Sequence, residues 1–286
     1  MSESKERLKF IEKHNGNFKF AGNKHTRVKQ VMSIIKNTKS NPKNLIVVEG
    51  FWGLETVLKN RVRVESVLFS PELFLSQEAV DLADQFIKLP GDHDICLVSD
   101  KVFSKMSEYN KPDGLLAVCE LPRYDLNELK PDGDSVYIIL DGVEIPGNIG
   151  TILRTADGAG VDAVFVTNRK ARLTHPKILK GSQGAIFSIP VMEIEQNNLI
   201  DWLKANGVRI VLTDTDAEVS YDEPDYPGNI ALVAGSERYG IRKEWYNHDD
   251  LRVSIPMYGM SDSLNVAVST SIILYQMRMK KGIRKK

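Results

Sequence analysis

Short apolar runs alternate with amphipathic stretches along most of this chain. Between residues 44 and 121 the runs NLIVVEG, VESVLFS, ICLVS and GLLAVCEL predict strands, and GLETVLKN, QEAVDLADQFI and DKVFSKMSEY predict the helices between them. This βαβαβαβ order suits a small α/β layer structure. The polar stretch LPRYDLNELKPDGDS, with Pro122, Pro131 and Gly133, then reads as a boundary. The expected organisation is a first domain over 1–121, a linker over 122–134 and a second domain over 135–286.

In the second half VYIILDG is a near-continuous apolar run, the pattern of a strand covered on both faces in a parallel sheet. VDAVFVT, FSIPV, VRIVLTD, NIALVAG and LRVSIP are the further strands, and 148–159, 174–183, 195–206 and 238–247 the helices between them. The last segment, LNVAVSTSIILYQMRMKK, is apolar on most faces before turning basic, which predicts a C-terminal helix packed into a core or a partner. The first 40 residues are polar and helical in part.

Composition narrows the class. The chain has 286 residues, 42% of them apolar, and 38 basic residues balance 38 acidic ones, so disordered and collagen-like classes are excluded. The start MSESKERLKF carries charges where a signal peptide needs an apolar core, and no run approaches the roughly 18 apolar residues of a membrane helix; a cytoplasmic protein away from membranes is expected. Cys96 and Cys119 are too few for a disulfide framework and not spaced for metal binding, so they read as buried thiols and no metal site is expected.

The neutral sum hides separated charge. Met1 to Asn44 holds eleven Lys or Arg against three Glu, net +8, and Gln276 to Lys286 holds six basic residues and no acid. Arg169, Lys170, Arg172, Lys177 and Lys180 form a third cluster. Such segments are either solvated tails or a phosphate-binding surface.

Neither G-x-G-x-x-G nor G-x-x-x-x-G-K-[ST] occurs, and the acidic-glycine loop of Rossmann-type methyltransferases is missing, which argues against dehydrogenases and P-loop NTPases. Three other segments each follow a predicted strand, where ligands of open α/β sheets bind. In DGVEIPGNIGTILRTADGAG, Pro146 and Gly147 turn the chain, Asn148 can cap a helix and Arg154 lies six residues on. In LVAGSERYG, Gly235 lets backbone approach a ligand and Glu237 follows it. In SIPMYGMSDSLNVAVSTSIILY, a loop delivers Ser263 and Asn265 to a helix start. Each alone has a bland reading as a cap, a surface ion pair or a tight turn.

In this order and spacing, the segments PGNIGTILRTADGAG, VAGSERYG and IPMYGMSDSLNVAVSTSIILY resemble the three motifs of the SpoU/TrmH branch of the SPOUT RNA methyltransferases, over roughly residues 136–279. The first half, with KHTRVKQVMSIIKN and with FWGLETVL after LIVVEG, is similar to the ribosomal-protein-like substrate-binding domain of many rRNA-modifying members. The resemblance implies 2'-O-methylation of a ribose with S-adenosylmethionine as donor, a parallel-sheet catalytic domain with a C-terminal trefoil knot, and an active homodimer. It implies a catalytic cluster of Asn148, Arg154, Glu237, Ser263 and Asn265, and a cofactor held near Leu212, Thr213, Gly235, Ile255, Met257 and Leu264.

The sulfonium already carries a reactive methyl group, so the protein has to align a ribose hydroxyl with it and manage a proton. The family's matching arginine is often described as the general base, yet a guanidinium is a poor proton acceptor; Arg154 either loses its proton in a dry pocket or stays charged and holds an alkoxide or phosphate. Structured large-subunit rRNA is the expected substrate, given the separate first domain and its basic segment. The alternatives are a tRNA 2'-O-methyltransferase, an inactive RNA-binding protein, which the retention of all five reactive positions opposes, and a dinucleotide oxidoreductase without its glycine fingerprint.

Overall fold

A computed structural model describes residues 3–14, 16–37 and 40–282. The chain falls into two compact units, Met1–Pro122 with Thr174–Pro176, and Arg123–Leu173 with Lys177–Lys286.

The first unit runs α1 (Glu3–Lys13), β1 (Lys19–Phe20), α2 (Thr26–Lys36), β2 (Leu45–Glu49), α3 (Phe51–Lys59), β3 (Val64–Phe69), α4 (Gln77–Ile87), β4 (Asp94–Leu97), α5 (Asp100–Met106) and β5 (Leu115–Glu120). Its five-stranded sheet has the order β1-β4-β3-β5-β2. β1, β4 and β3 are parallel, and β5 is antiparallel to both β3 and β2. In α4, Ala79, Leu82, Ala83 and Phe86 fall at helical spacing and are buried, and the Ser76 hydroxyl caps the helix by accepting from Ala79 N at 3.3 Å. α2 seals the sheet through Val28 and Val31, which join Leu68, Cys96, Phe103 and Val118 in one core. Both cysteines are buried and free. Burial pushes the Cys96 thiol up to about 11.

The basic first segment is folded over its described residues: it supplies α1, β1 and α2. Several of its cations are already paired. Lys13 meets Asp84, Lys19 and Arg27 share Asp94, and Arg27 and Lys43 share Glu65. Lys9, Lys24, Lys29 and Lys36 remain exposed. Residues 1, 2, 15, 38 and 39 of that segment lie outside the described residues.

The second unit runs β6 (Val136–Asp141), α6 (Pro146–Gly158), β7 (Ala163–Thr167), α7 (Pro176–Ser182), α8 (Ala185–Ser188), β8 (Val191–Glu193), α9 (Gln196–Ala205), β9 (Arg209–Thr213), β10 (Ile230–Gly235), β11 (Leu251–Val253) and α10 (Val266–Lys281). Its six-stranded sheet, in the order β11-β9-β10-β6-β7-β8, is parallel throughout. All six residues of β6 and of β10 are buried, as apolar runs without alternation require. The chain leaves β6 toward β7 and β8, then crosses to β9 on the other side, and β10 fills the place between β9 and β6. The topological switch point is therefore the boundary between β6 and β10. Tyr124, Leu126 and Leu129, from the segment read as a linker, pack against this unit's core.

Two elements differ from the sequence reading. FSIPV is not one strand: Phe187 and Ser188 end α8 and β8 begins only at Val191, because Pro190 has no N–H and holds Ile189 extended. The span 238–247 is not one helix. Gly240, at φ +67°, closes a turn in which Ser236 and Gly240 exchange backbone bonds of 3.0 and 2.9 Å, and only a 3₁₀ segment, Lys243–Asn247, follows.

α10 buries Ala267, Thr270, Ile273, Leu274 and Met277, and its basic end is partly structural. The Arg278 guanidinium donates to the carbonyls of Ala159, at 2.8 Å, and Gly160. The Lys281 ammonium, its side chain only 2% exposed, donates to Gly228 O at 2.6 Å and meets Asp134 at 2.7 Å. These cations are committed to the fold and not to a ligand. Residues 283–286, the rest of the basic run, lie outside the described residues. Arg169 of the middle cluster donates from Nη1 to both carboxylate oxygens of Glu193, each at 2.9 Å.

Candidate active site

The three segments singled out in the sequence leave the carboxyl ends of β6, β10 and β11. β10 lies between β6 and β9, and β11 flanks β9, so all three ends fall on one edge of the sheet. Gly235 is in register with Asp141, and Thr213 with Val253. The sequence thus brings its motifs together through strand order, at the switch point.

Glu237 is the hub. Its half-buried carboxylate accepts from Glu144 N at 2.9 Å, Ile145 N at 3.2 Å and Asn148 Nδ2 at 2.7 Å. Ile145 is the N-cap of α6 and offers no side-chain cap, so Glu237 serves the free donors at that helix end from another loop. Burial would raise its pKa, but the bonds from Glu144 N, Asn148 and Ile145 N outweigh burial and hold the carboxyl below its ordinary value. Asn148 does not cap α6. Its Oδ1 instead accepts from Asn265 Nδ2 at 3.2 Å, while Asn265 caps α10, its Oδ1 accepting from Ala267 N at 2.9 Å. The chain Glu237–Asn148–Asn265 ties β10's exit, α6 and α10 into one array.

Arg154 and Ser263 are not in this array. Both are exposed, Arg154 on α6 and Ser263 in the loop before α10. Six helical residues separate Asn148 and Arg154 by about 9 Å along the axis and by about a third of a turn around it.

The residues expected near a cofactor line the same edge. Leu212 is fully buried, backbone included. Thr213 Oγ1 is committed to Val233 O at 3.0 Å. Ile255 and Met257 are half-buried and Leu264 is 37% exposed. Gly235 needs a different explanation from the one the sequence offered: a Cβ there would lie 2.3 Å from Gly240 C and 2.4 Å from Ile241 N, so the close approach is to its own turn.

Two features escaped sequence reasoning. Asp141, at the buried end of β6, accepts from the Thr167 hydroxyl and from Arg242 N, each at 3.0 Å, and so locks the strand end to the segment after the Glu237 turn. An acid closing an apolar strand was the available signal, since a buried carboxylate must be partnered. Gly150 allows α6 to touch α7, where a Cβ would meet Ile178 O at 2.7 Å. No periodicity marks such a contact.

Comparison with known proteins places the fold and the family. The model of the SpoU rRNA Methylase family matches residues 135–275, and that of the MRM3-like substrate binding domain matches 25–117. The 23S rRNA (guanosine(2553)-2'-O)-methyltransferase RlmP of Bacillus subtilis is 30% identical over 259 residues, covering 89% of this chain and 97% of the relative. The 23S rRNA (uridine(2479)-2'-O)-methyltransferase of Streptomyces viridochromogenes is 28% identical, covering 88% and 89%. The AdoMet-bound rRNA methyltransferase of Sinorhizobium meliloti is alike in fold, with a TM-score of 0.84 at 24% identity over 92% of this chain and 98% of that one. With three ordered motifs gathered at one sheet edge and a relative matched over nearly its whole length, the chain belongs to the SpoU rRNA methylase family.

Proposed function

We propose that this protein transfers a methyl group from S-adenosylmethionine to a ribose 2'-hydroxyl of large-subunit rRNA. The observation that carries the reading is the Glu237–Asn148–Asn265 array at the switch point, built from all three motif segments. The donor set suits the cofactor: half-buried Ile255 and Met257 and part-exposed Leu264 offer apolar surface for a flat ring, beside the strand ends at Thr213 and Gly235. When bound, S-adenosylmethionine supplies an electrophilic methyl group. The chain's own task is to orient the ribose and hold charge. Glu237 fixes the start of α6, Asn148 and Asn265 fix one another's amides, and Arg154 stays cationic to hold a phosphate or the developing alkoxide. Ser263, exposed beside Asn265, is available to the substrate side.

The division of labour follows the domains, with 1–121 selecting RNA, 122–134 joining and 135–286 performing the transfer. α10 leaves Val268, Tyr275 and Met279 exposed beside its buried stripe, and a homodimer through this apolar face is part of the reading. A stable, active monomer in light scattering would remove that part. The trefoil-knotted C-terminal segment and a cytoplasmic setting also belong to it; among the described residues no helix is long and apolar enough to cross a membrane.

The test is incubation of methyl-labelled S-adenosylmethionine with large-subunit rRNA from cells lacking this protein, followed by alkaline hydrolysis. A 2'-O-methyl blocks attack of that oxygen on the neighbouring phosphate, so label should appear in alkali-resistant dinucleotides. Label in mononucleotides would mean base methylation and refute the assignment, and label confined to tRNA would refute the substrate.

A further inference from the structure

The turn that aims Glu237 inward also displays two side chains outward. Besides the paired backbone bonds between Ser236 and Gly240, the Ser236 hydroxyl accepts from Arg238 N at 3.3 Å and Tyr239 N at 3.2 Å. The turn is thus braced from within by its own first side chain, and from below by Glu237 on α6. On this frame Tyr239 is 72% exposed, and the Arg238 guanidinium stands 5.2 Å from the centre of its ring. Two residues of chain span at most about 7 Å, so the backbone of Tyr239 starts within that distance of Glu237, the first member of the Glu237–Asn148–Asn265 array. Tyr258 is more exposed still, at 97%, in the loop before α10.

A ring left 72% exposed on a braced turn contributes little to the fold, and a cation beside it draws anionic ligands. RNA loops are read by stacking unpaired bases on aromatic rings and guanidinium planes, with cations meeting the adjoining phosphates. From this geometry we infer that Tyr239 is the stacking platform for an unpaired nucleobase of the RNA substrate, at or next to the methylated nucleotide, with Arg238 orienting the ring and facing a phosphate. This rests on the reading of the site as an RNA 2'-O-methyltransferase and adds the residue that holds the base.

The experiment compares Tyr239→Ala, Tyr239→Phe and Tyr239→Trp in the full chain. Methyl transfer is measured at saturating S-adenosylmethionine against large-subunit rRNA from cells lacking the protein, with cofactor affinity by calorimetry and mass by light scattering. Tyr239→Ala should raise KM for RNA by about 5- to 150-fold with kcat largely kept, while Phe and Trp, which retain a ring face, stay within roughly threefold of the parent. Cofactor affinity and mass should not change. An unchanged KM in Tyr239→Ala overturns the inference, as does Tyr239→Phe failing as badly as Ala, or a loss that follows cofactor affinity or a change of mass. A parent protein that transfers no methyl to RNA would instead overturn the functional reading on which the inference stands.

Discussion

Replacing Glu237 by Gln tests how the site is held, because it keeps the side chain's shape and removes its charge. In the parent, three donors converge on the carboxylate, from Glu144 N, Ile145 N and Asn148 Nδ2. A carboxamide has a single acceptor oxygen, and its NH₂ would face donors. At least one bond is lost and another becomes repulsive, together with the favourable anion at the helix N-terminus. At the low end of values for charge-assisted bonds, since the group is part-exposed, the loss is about 2–3 kcal/mol. For a unit of this size that lowers the unfolding midpoint by roughly 5–10 °C. The loss also depends on pH. Because the folded carboxyl titrates below its ordinary value, the folded state binds fewer protons than the unfolded state through the acid range. Its contribution is therefore complete above about pH 4.3 and disappears as pH falls through the lower folded value. Thermal unfolding of parent and Glu237→Gln from pH 7 to pH 3 should show a gap that is constant near neutrality and closes in acid. A gap that persists unchanged to pH 3, or a Gln variant as stable as the parent at pH 7, would refute the hub role.

Arg154→Ala should abolish turnover with cofactor affinity nearly unchanged, and Arg154→Lys should remain poor because a point charge does not reproduce a planar fork; kinetics paired with calorimetry checks both. Gly235→Val should destabilise the second unit, since its Cβ would lie 2.3 Å from Gly240 C, so loss of cofactor binding should coincide with a lowered unfolding midpoint. Lys281→Met should cost about 1–3 kcal/mol, measured by denaturant unfolding, because Gly228 O and Asp134 lose a nearly buried partner.

Much of this was legible in the chain. The unbroken apolar runs of β6 and β10 announced a parallel sheet, and the motif segments after them lie along one edge because strand order places β10 beside β6. What escaped was long-range or compensatory. The basic first 44 residues read as a solvated tail or a phosphate-binding surface because the acids that pair with several of them, Glu65, Asp84 and Asp94, lie far along the chain. Arg278 and Lys281 read as tail charges because their acceptors are backbone carbonyls, which have no sequence signature. Asn148 read as a helix cap because its position fits one, whereas its partners come from residues 237 and 265. The expected helix over 238–247 failed at Gly240, where left-handed backbone closes the turn.

The central claim is that the gathered motifs methylate one ribose of large-subunit rRNA. Mapping 2'-O-methylation across all rRNA from cells with the protein, without it, and restored with the parent or with Arg154→Ala tests this most directly. A single large-subunit ribose should lose its methyl group on deletion, regain it with the parent and stay unmodified with Arg154→Ala. An identical map in all four, or a site restored equally by Arg154→Ala, would contradict the account.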